Sequence, residues 1–254
     1  MVRGDGKHTL VLAHGFGCDQ NMWRRLAPYL ADFRIILFDH TGSGNSDVAS
    51  FDASRHGELE GYAEDLAEIC EELDLRNATL VGHSVSGTIG LMAAVKVPER
   101  FDKLVMICPS PCFLNLPGYS GGFERGDLVE LIDLMDRNYI GWAHHLAPLA
   151  SGQPVNSEVS KELAQSFCST DPLTAKTFAE ATFLTDHRNL LGQATHEVLV
   201  LQSARDSLAA PSVGQYVHDN LPCSRLEVID ADGHCLHMTH PAEVAQSIRN
   251  FVYG

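Results

Sequence analysis

The stretch from Ala78 to Ala93, ATLVGHSVSGTIGLMA, limits this chain most tightly. Ala78, Thr79, Leu80 and Val81 form the short apolar run of a buried strand, and a helix-compatible run follows Gly87. Between them, Gly82-His83-Ser84-Val85-Ser86-Gly87 leaves no length for a loop. The strand must turn sharply into the helix, and the turn lifts Ser84 above the sheet edge. Such an elbow strains the backbone of its central residue and needs small neighbours. The segment departs from G-x-S-x-G by one place: Ser86 stands where the second glycine is expected, and the glycine follows at 87. Gly82 and Ser86 are both small, so Ser84 reads as a nucleophile. The plainer alternative is a strand-to-helix turn carrying a solvated serine; the rest of the chain must decide between them.

The elbow sits within an alternation of strand and helix patterns. Thr9 to Ala13 and Arg34 to Phe38 read as buried strands, with a helix expected from Asn21 to Leu30. Gly61 to Leu73 is amphipathic, with Leu66, Ile69, Cys70 and Leu73 on one face. The elbow strand follows at 78–83, its helix stops near Val97-Pro98, and Lys103 to Ile107 is the next strand. From about Cys112 to Leu191 no strand is evident. Helix-period segments at about 126–137, 139–147, 157–167 and 172–183 are punctuated by Gly121-Gly122, Pro154 and Asp171-Pro172. Strands then return at Glu197 to Gln202 and Arg225 to Ile229, with helices at Ser212 to Asn220 and Pro241 to Val252. This order predicts an α/β fold with a doubly wound, mostly parallel sheet. Its core is 1–111 with 192–254, and 112–191 is a helical lid insertion.

With 254 residues and 44% hydrophobic content, the chain can bury one sizeable core. A formal charge of −15 opposes binding to nucleic acid or an anionic membrane surface. The seven cysteines are scattered without a CxxC pair, which favours free thiols in a reducing compartment and hence a cytoplasmic protein. No apolar run approaches the ~18 residues of a membrane span. No nucleotide loop, phosphate-binding cluster or metal set is evident, so no cofactor is expected.

A serine hydroxyl needs a base within hydrogen-bond reach and an acid to hold that base in its tautomer. On a sheet of this kind the partners follow the nucleophile from loops at the carboxyl ends of later strands. Asp206, past the strand at 197–202, and His234, past the strand at 225–229, occupy such loops. Asp230 and Asp232 share the loop of His234 and cannot easily fold back under its imidazole. Asp219 falls late in a helix, and Asp39 is better placed to cap the glycine loop after its own strand. His237 and His240 are expected to be a surface pair at a helix start, and His144-His145 to be solvated or packed. A developing oxyanion needs two backbone donors. Val85 N–H, next to the nucleophile, is one; Phe16 N–H, from His14-Gly15-Phe16-Gly17, is chosen as the other, with flanking glycines that permit close approach.

These residues carry a family resemblance. The chain resembles the α/β-hydrolases, and within them the RsbQ-type bacterial proteins, relatives of the plant strigolactone and karrikin receptors. The matching stretches include Ala13-His14-Gly15-Phe16-Gly17-Cys18-Asp19-Gln20, Ile36-Leu37-Phe38-Asp39, Gly82-His83-Ser84-Val85-Ser86-Gly87, Pro109-Ser110-Pro111-Cys112 and Gly121-Gly122-Phe123-Glu124. Asn138-Tyr139-Ile140-Gly141-Trp142, Phe167-Cys168-Ser169-Thr170-Asp171-Pro172, Asp186-His187-Arg188 and Gly233-His234-Cys235-Leu236-His237-Met238 extend the match through the lid. The resemblance implies a triad at Ser84, Asp206 and His234, oxyanion donors at Phe16 and Val85, and a V-shaped lid of four helices over an apolar pocket. It implies two uses of that site. One is hydrolysis of a small ester or butenolide-like lactone; the other is ligand-gated signalling in a general-stress pathway with a PAS-domain phosphatase as partner. Two departures stand out: the family's opening strand is shortened or absent here, and Ser86 replaces a common glycine.

An esterase pocket is mostly apolar with a few convergent polar groups. Phe123, Trp142, Phe183 and His83 are expected to line it, with Phe113 a further candidate; packing between lid helices is the competing role for each aromatic. The ligand they point to is a small, uncharged, largely apolar ester or lactone.

Overall fold

The computed structural model describes all residues, 1–254. Seven strands form one sheet: β1 (Val2–Arg3), β2 (Thr9–Ala13), β3 (Arg34–Leu37), β4 (Ala78–His83), β5 (Phe101–Ile107), β6 (Glu197–Arg205) and β7 (Ser224–Asp232). Their spatial order is β1-β3-β2-β4-β5-β6-β7. Only β1 runs antiparallel, pairing Val2 with Ile36 and Arg3 with Ile35 at the sheet edge. The opening strand is therefore present but two residues long.

The helices are α1 (Ala53–His56), α2 (Leu59–Glu72), α3 (Val85–Lys96), α4 (Arg125–Ser151), α5 (Glu158–Ser169), α6 (Pro172–Phe183), α7 (Pro211–Asn220), α8 (Leu236–Thr239) and α9 (Pro241–Tyr253). β4 is buried along its whole length, as befits the mostly apolar sequence of a strand covered on both faces. The three helices α4 to α6 lie between β5 and β6 in the chain. α4 is broken at Asn138, whose φ of −157° and ψ of 73° are not helical. The Asn138 side chain accepts from Gly141 N at 2.9 Å and so caps the second half. The break yields the separate segments that the sequence periodicity predicts on either side of residue 138. Leu163, Phe167 and Phe178 of the insertion belong to the same continuous apolar core as Leu80 and Val105 of the sheet.

One expected element takes a different form. The helix expected from Asn21 to Leu30 is two 3-10 turns, Gln20–Arg25 and Ala27–Leu30. Pro28 supplies no N–H and crowds the residue before it, so a continuous α-helix cannot pass. Asp19 caps the first turn by accepting from Asn21 N at 2.7 Å.

The strand order places the crevice. From β2 the chain crosses to β3 on one side, then returns to β4 on the other side of β2. The loops leaving the carboxyl ends of β2 and β4 thus diverge. Such a switch point is where open α/β sheets bind ligands.

Candidate active site

Ser84 stands at that switch point, between β4 and α3, with φ of 56° and ψ of −124°. A non-glycine residue in this region is strained. The strain is held by Ser84 N donating to Ile107 O at 2.9 Å and Gly87 N donating to Ser84 O at 2.9 Å. A Cβ at Gly82 would lie 2.2 Å from Ser86 O, so Gly82 is obligatory. Ser86 can carry a side chain because its hydroxyl points toward the β2 loop, donating to His14 O at 2.5 Å. This hydrogen bond accommodates a serine where the motif has its second glycine.

The structure brings His234 and Asp206 together. Asp206 directly follows β6, and His234 follows β7. His234 Nδ1 and Asp206 Oδ2 are 2.8 Å apart. The other carboxylate oxygen accepts from Leu208 N at 2.8 Å and Ala209 N at 3.0 Å. Burial pushes the Asp206 carboxyl up, but the electrostatic attraction to the His234 imidazole and these hydrogen bonds outweigh it and hold its pKa below the usual value. An anionic Asp206 requires Nδ1–H on His234, which leaves Nε2 as an acceptor. That Nε2 is buried and engages no protein group. The His234 loop is fastened to the end of α4, with His234 N donating to Ala150 O at 2.7 Å.

The rival acids are occupied elsewhere. Asp230 and Asp232 pair with Arg205 at 2.8 and 2.5 Å on the surface. Asp39 holds Gln20 N at 2.7 Å and Asn45 N at 3.0 Å, fixing the loop after β3. Asp219 accepts from Gln215 on its own helix.

Ser84 and His234 share one cavity of about 30 Å³ with Phe16, Cys18, His83, Phe113, Leu146, Ala150, Leu163, Phe167, Phe183, Leu208 and Cys235. Its wall is almost wholly apolar. Larger clefts, such as one of about 700 Å³ bordered by Arg55, His56 and Asp65, lie away from Ser84. Of the expected pocket residues, Phe183 and His83 line the cavity, and so does Phe113. Trp142 does not: it is fully buried behind Phe16, edge to face at 6.0 Å, and stacks on Tyr139. Phe123 does not either, because its backbone pairs with Phe113 and Leu114 and holds it outside. The sequence reading missed the aliphatic wall of Leu146, Ala150 and Leu163 and the ring of Phe167. Their helical spacing was visible, but not which side of each helix faces the cavity.

Neither Phe16 N–H nor Val85 N–H is taken by a backbone acceptor in the fold. Both belong to residues beside Ser84, Phe16 on the cavity wall and Val85 next in sequence. Gly15 lies against His83, where a Cβ would meet the ring at 2.6 Å.

The expected surface histidine pair is corrected. His237 is fully buried, its ring 4.3 Å from that of His83 and 4.7 Å from that of Trp23. It lies on α8, which packs inward against the turn at Gln20–Arg25. His144 and His145 are exposed. Cys108 was not singled out from sequence. It has φ of 48°, is fully buried, and offers its sulfur within 4.8 Å of the facing atoms of Asp206 and His234. Burial first, then the Asp206 charge, push its thiol well above the usual range, so a neutral thiol borders the acid. Its place at the carboxyl end of β5 was the only available signal.

No helix is long and apolar enough to cross a membrane, and all seven cysteines are free. A family model described as the alpha/beta hydrolase fold matches residues 8–241. The chain is 40% identical over 243 residues to a probable esterase of Oryza sativa subsp. japonica, covering 94% of this chain and 90% of that one. It is 38% identical over 242 residues to a karrikin insensitive 2 receptor of Petunia hybrida, covering 94% and 88%. The solved structure of a hydrolase from Oleispira antarctica superposes with a TM-score of 0.97 at 53% identity, covering all of this chain and 94% of that one. The chain belongs to the α/β-hydrolase family.

Proposed function

We propose that this protein is a serine hydrolase of small, apolar carboxylic esters or lactones, with Ser84, His234 and Asp206 as its triad. The observation that carries the reading is the His234 imidazole. Its Nδ1 is held 2.8 Å from Asp206, while its buried Nε2 is unpaired on the cavity it shares with Ser84. In this reading Ser84 Oγ attacks the carbonyl carbon as His234 Nε2 takes its proton. The oxyanion is met by the Phe16 and Val85 N–H groups. The tetrahedral intermediate collapses, the C–O bond breaks, and His234 returns the proton to the leaving alkoxide. Water then attacks the acyl-enzyme with His234 as base, releasing the acid and restoring Ser84. Asp206 stays ionised and stabilises the transient imidazolium. The segment 112–191 acts as a lid whose apolar side chains exclude bulk water from this chemistry.

The test is hydrolysis of p-nitrophenyl acetate by the wild type and Ser84→Ala. The wild type should turn over at ~1 s⁻¹ or faster, and Ser84→Ala should lose the activity. Undiminished hydrolysis by Ser84→Ala would sink the mechanism.

A second reading is supported by the likeness to a protein named as a karrikin insensitive 2 receptor. In it the same site binds a ligand, turns it over slowly or once, and signals through a PAS-domain phosphatase in the cytoplasm. A covalent single-turnover product without steady-state hydrolysis, and co-purification of such a phosphatase from the host, would favour it.

A further inference from the structure

The proposed oxyanion donors come from separate loops, so something must fix the distance between the elbow and the β2 loop. A buried chain of hydrogen bonds joins them. Ser86 Oγ donates to His14 O at 2.5 Å, and His40 Nε2 lies 2.8 Å from the same Oγ. Because the Ser86 proton goes to a carbonyl, the hydroxyl can only accept from His40, which is therefore the Nε2–H tautomer. His40 N in turn donates to His14 Nε2 at 3.0 Å. His14 must then carry its proton on Nδ1, which donates to Gly15 O at 2.9 Å. Ser86, His14 and His40 are all buried. Burial drives both histidines below their ordinary pKa, so the chain stays neutral near pH 7.

This chain bears on the peptide that presents Phe16 N–H. Gly15 O is held by His14 Nδ1 and by Cys18 N, the latter at 3.2 Å. In a trans peptide the carbonyl and the following N–H point in opposite directions. Anchoring Gly15 O therefore aims Phe16 N–H the other way. Ser86 anchors the preceding carbonyl, that of His14, and does so from the first turn of the helix that begins at Val85, the second donor. The two donors are thus tied to each other through one hydroxyl. A glycine at position 86 would leave the His14 carbonyl without this partner.

We propose that Ser86 is a positioning residue for the hydrolytic reaction, setting the β2 loop against the elbow so that Phe16 N–H and Val85 N–H converge on one oxygen, with His40 orienting the Ser86 hydroxyl. The inference rests on the serine-hydrolase reading above and extends it to a residue that touches no substrate. It predicts a transition-state effect with little change in ground-state binding. Loss of an entire oxyanion donor costs ~10²–10³-fold in rate; misalignment of one should cost about tenfold.

The experiment compares wild type, Ser86→Ala, Ser86→Cys, His40→Phe and the Ser86→Ala/His40→Phe double variant. The readouts are kcat and KM for p-nitrophenyl acetate and Ki for a short alkyl trifluoromethyl ketone, which forms an oxyanion on the nucleophile. Rates are expressed per active site titrated with a fluorophosphonate, so a poorly folded variant does not mimic a slow one. Ser86→Ala should lower kcat about tenfold and raise Ki by a similar factor with KM nearly unchanged. Ser86→Cys, with a weaker donor, should fall between. His40→Phe should add nothing in the Ser86→Ala background, since His40 acts through that hydroxyl. A Ser86→Ala enzyme within twofold of wild type in kcat and Ki overturns the inference, as does full additivity in the double variant. If Ser86→Ala does not fold, Ser86→Cys against wild type decides by the same criterion. Ser84→Ala separates the two levels: if it hydrolyses normally the serine-hydrolase reading fails, whereas an inert Ser84→Ala beside a wild-type-like Ser86→Ala defeats this inference alone.

Discussion

Acidification should destabilise this fold earlier than carboxylate protonation alone would. His237, His83 and His40 are each buried and neutral, with pKa values driven down chiefly by burial: His237 to about 3, and His83 and His40 well below their ordinary value. In the unfolded chain the same imidazoles titrate near ~6.5. Below that pH the unfolded state binds more protons than the folded one, so stability falls as pH falls. Each fully suppressed group costs about 1.4 kcal/mol for each pH unit below 6.5. At about pH 5.5 these three histidines together cost about 4 kcal/mol relative to pH 8, and His14 and His187, also lowered by burial, act in the same direction. That is a large part of the ~5–15 kcal/mol holding a typical domain together, and converts to a drop of about 8–16 °C in Tm. The assay is urea unfolding followed by tryptophan fluorescence at about pH 8, 6.5 and 5.5 in one mixed buffer of constant ionic strength. His237→Leu sharpens it. Neither ring nitrogen of His237 meets a protein partner, so the substitution removes a titrating group without breaking a hydrogen bond. It should reduce the loss between pH 8 and 5.5 by about 1.4 kcal/mol. Stability that is flat down to pH 5.5, or an unaltered slope in His237→Leu, would refute the reasoning.

Two further outcomes follow from the site. Asp206→Asn should lower kcat by roughly 10⁴-fold, because an amide that donates to Nδ1 leaves the proton on His234 Nε2, where it cannot accept from Ser84; steady-state kinetics beside a melting curve checks this. Gly233→Ala should cost more than about 2 kcal/mol in urea unfolding, since Gly233 has φ of 84° and an added Cβ would lie 2.4 Å from Gly152 N.

Much of the sheet was legible because parallel strands covered on both faces must be apolar throughout, and Leu10 to Ala13, Leu80 to Val81 and Val198 to Leu201 are. The order Ser84, Asp206, His234 was legible because loops at the carboxyl ends of successive strands converge in this topology. The turns from Gln20 to Leu30 were misread because the apolar spacing of Trp23, Leu26 and Leu30 suits a helix, while Pro28 acts on the backbone rather than the pattern. The cavity wall was misread for a different reason. Trp142 and Phe183 carry equally strong apolar signals and both pack on Phe16, and only the placement of α4 and α6 decides that Phe183 reaches the cavity of Ser84 while Trp142 does not. His237 looked like a surface residue because α8 is too short to show a periodic face.

The enzyme and receptor readings meet in one physical constraint. A cavity of about 30 Å³ has room for roughly two or three water molecules, less than an ester or butenolide with its leaving group occupies. On either reading, ligand entry must displace side chains that line the cavity, among them Leu146 of α4, Phe167 of α5 and Phe183 of α6. One of them is Phe167, whose ring packs so closely on Gly17 that a Cβ there would lie 2.5 Å from it. Ser166 Oγ donates to Gly17 O at 3.2 Å in the same contact. α5 thus rests on the loop that presents Phe16 N–H, and a ligand that lifts Phe167 disturbs the support of the proposed oxyanion donor. The hydrogen-bonded chain through Ser86 reaches that loop from the elbow and includes no residue of α5. A loop held only by α5 would lose its geometry whenever substrate displaced that helix. One held from the sheet would keep it, and on these readings α4 to α6 would be left free to respond to the ligand.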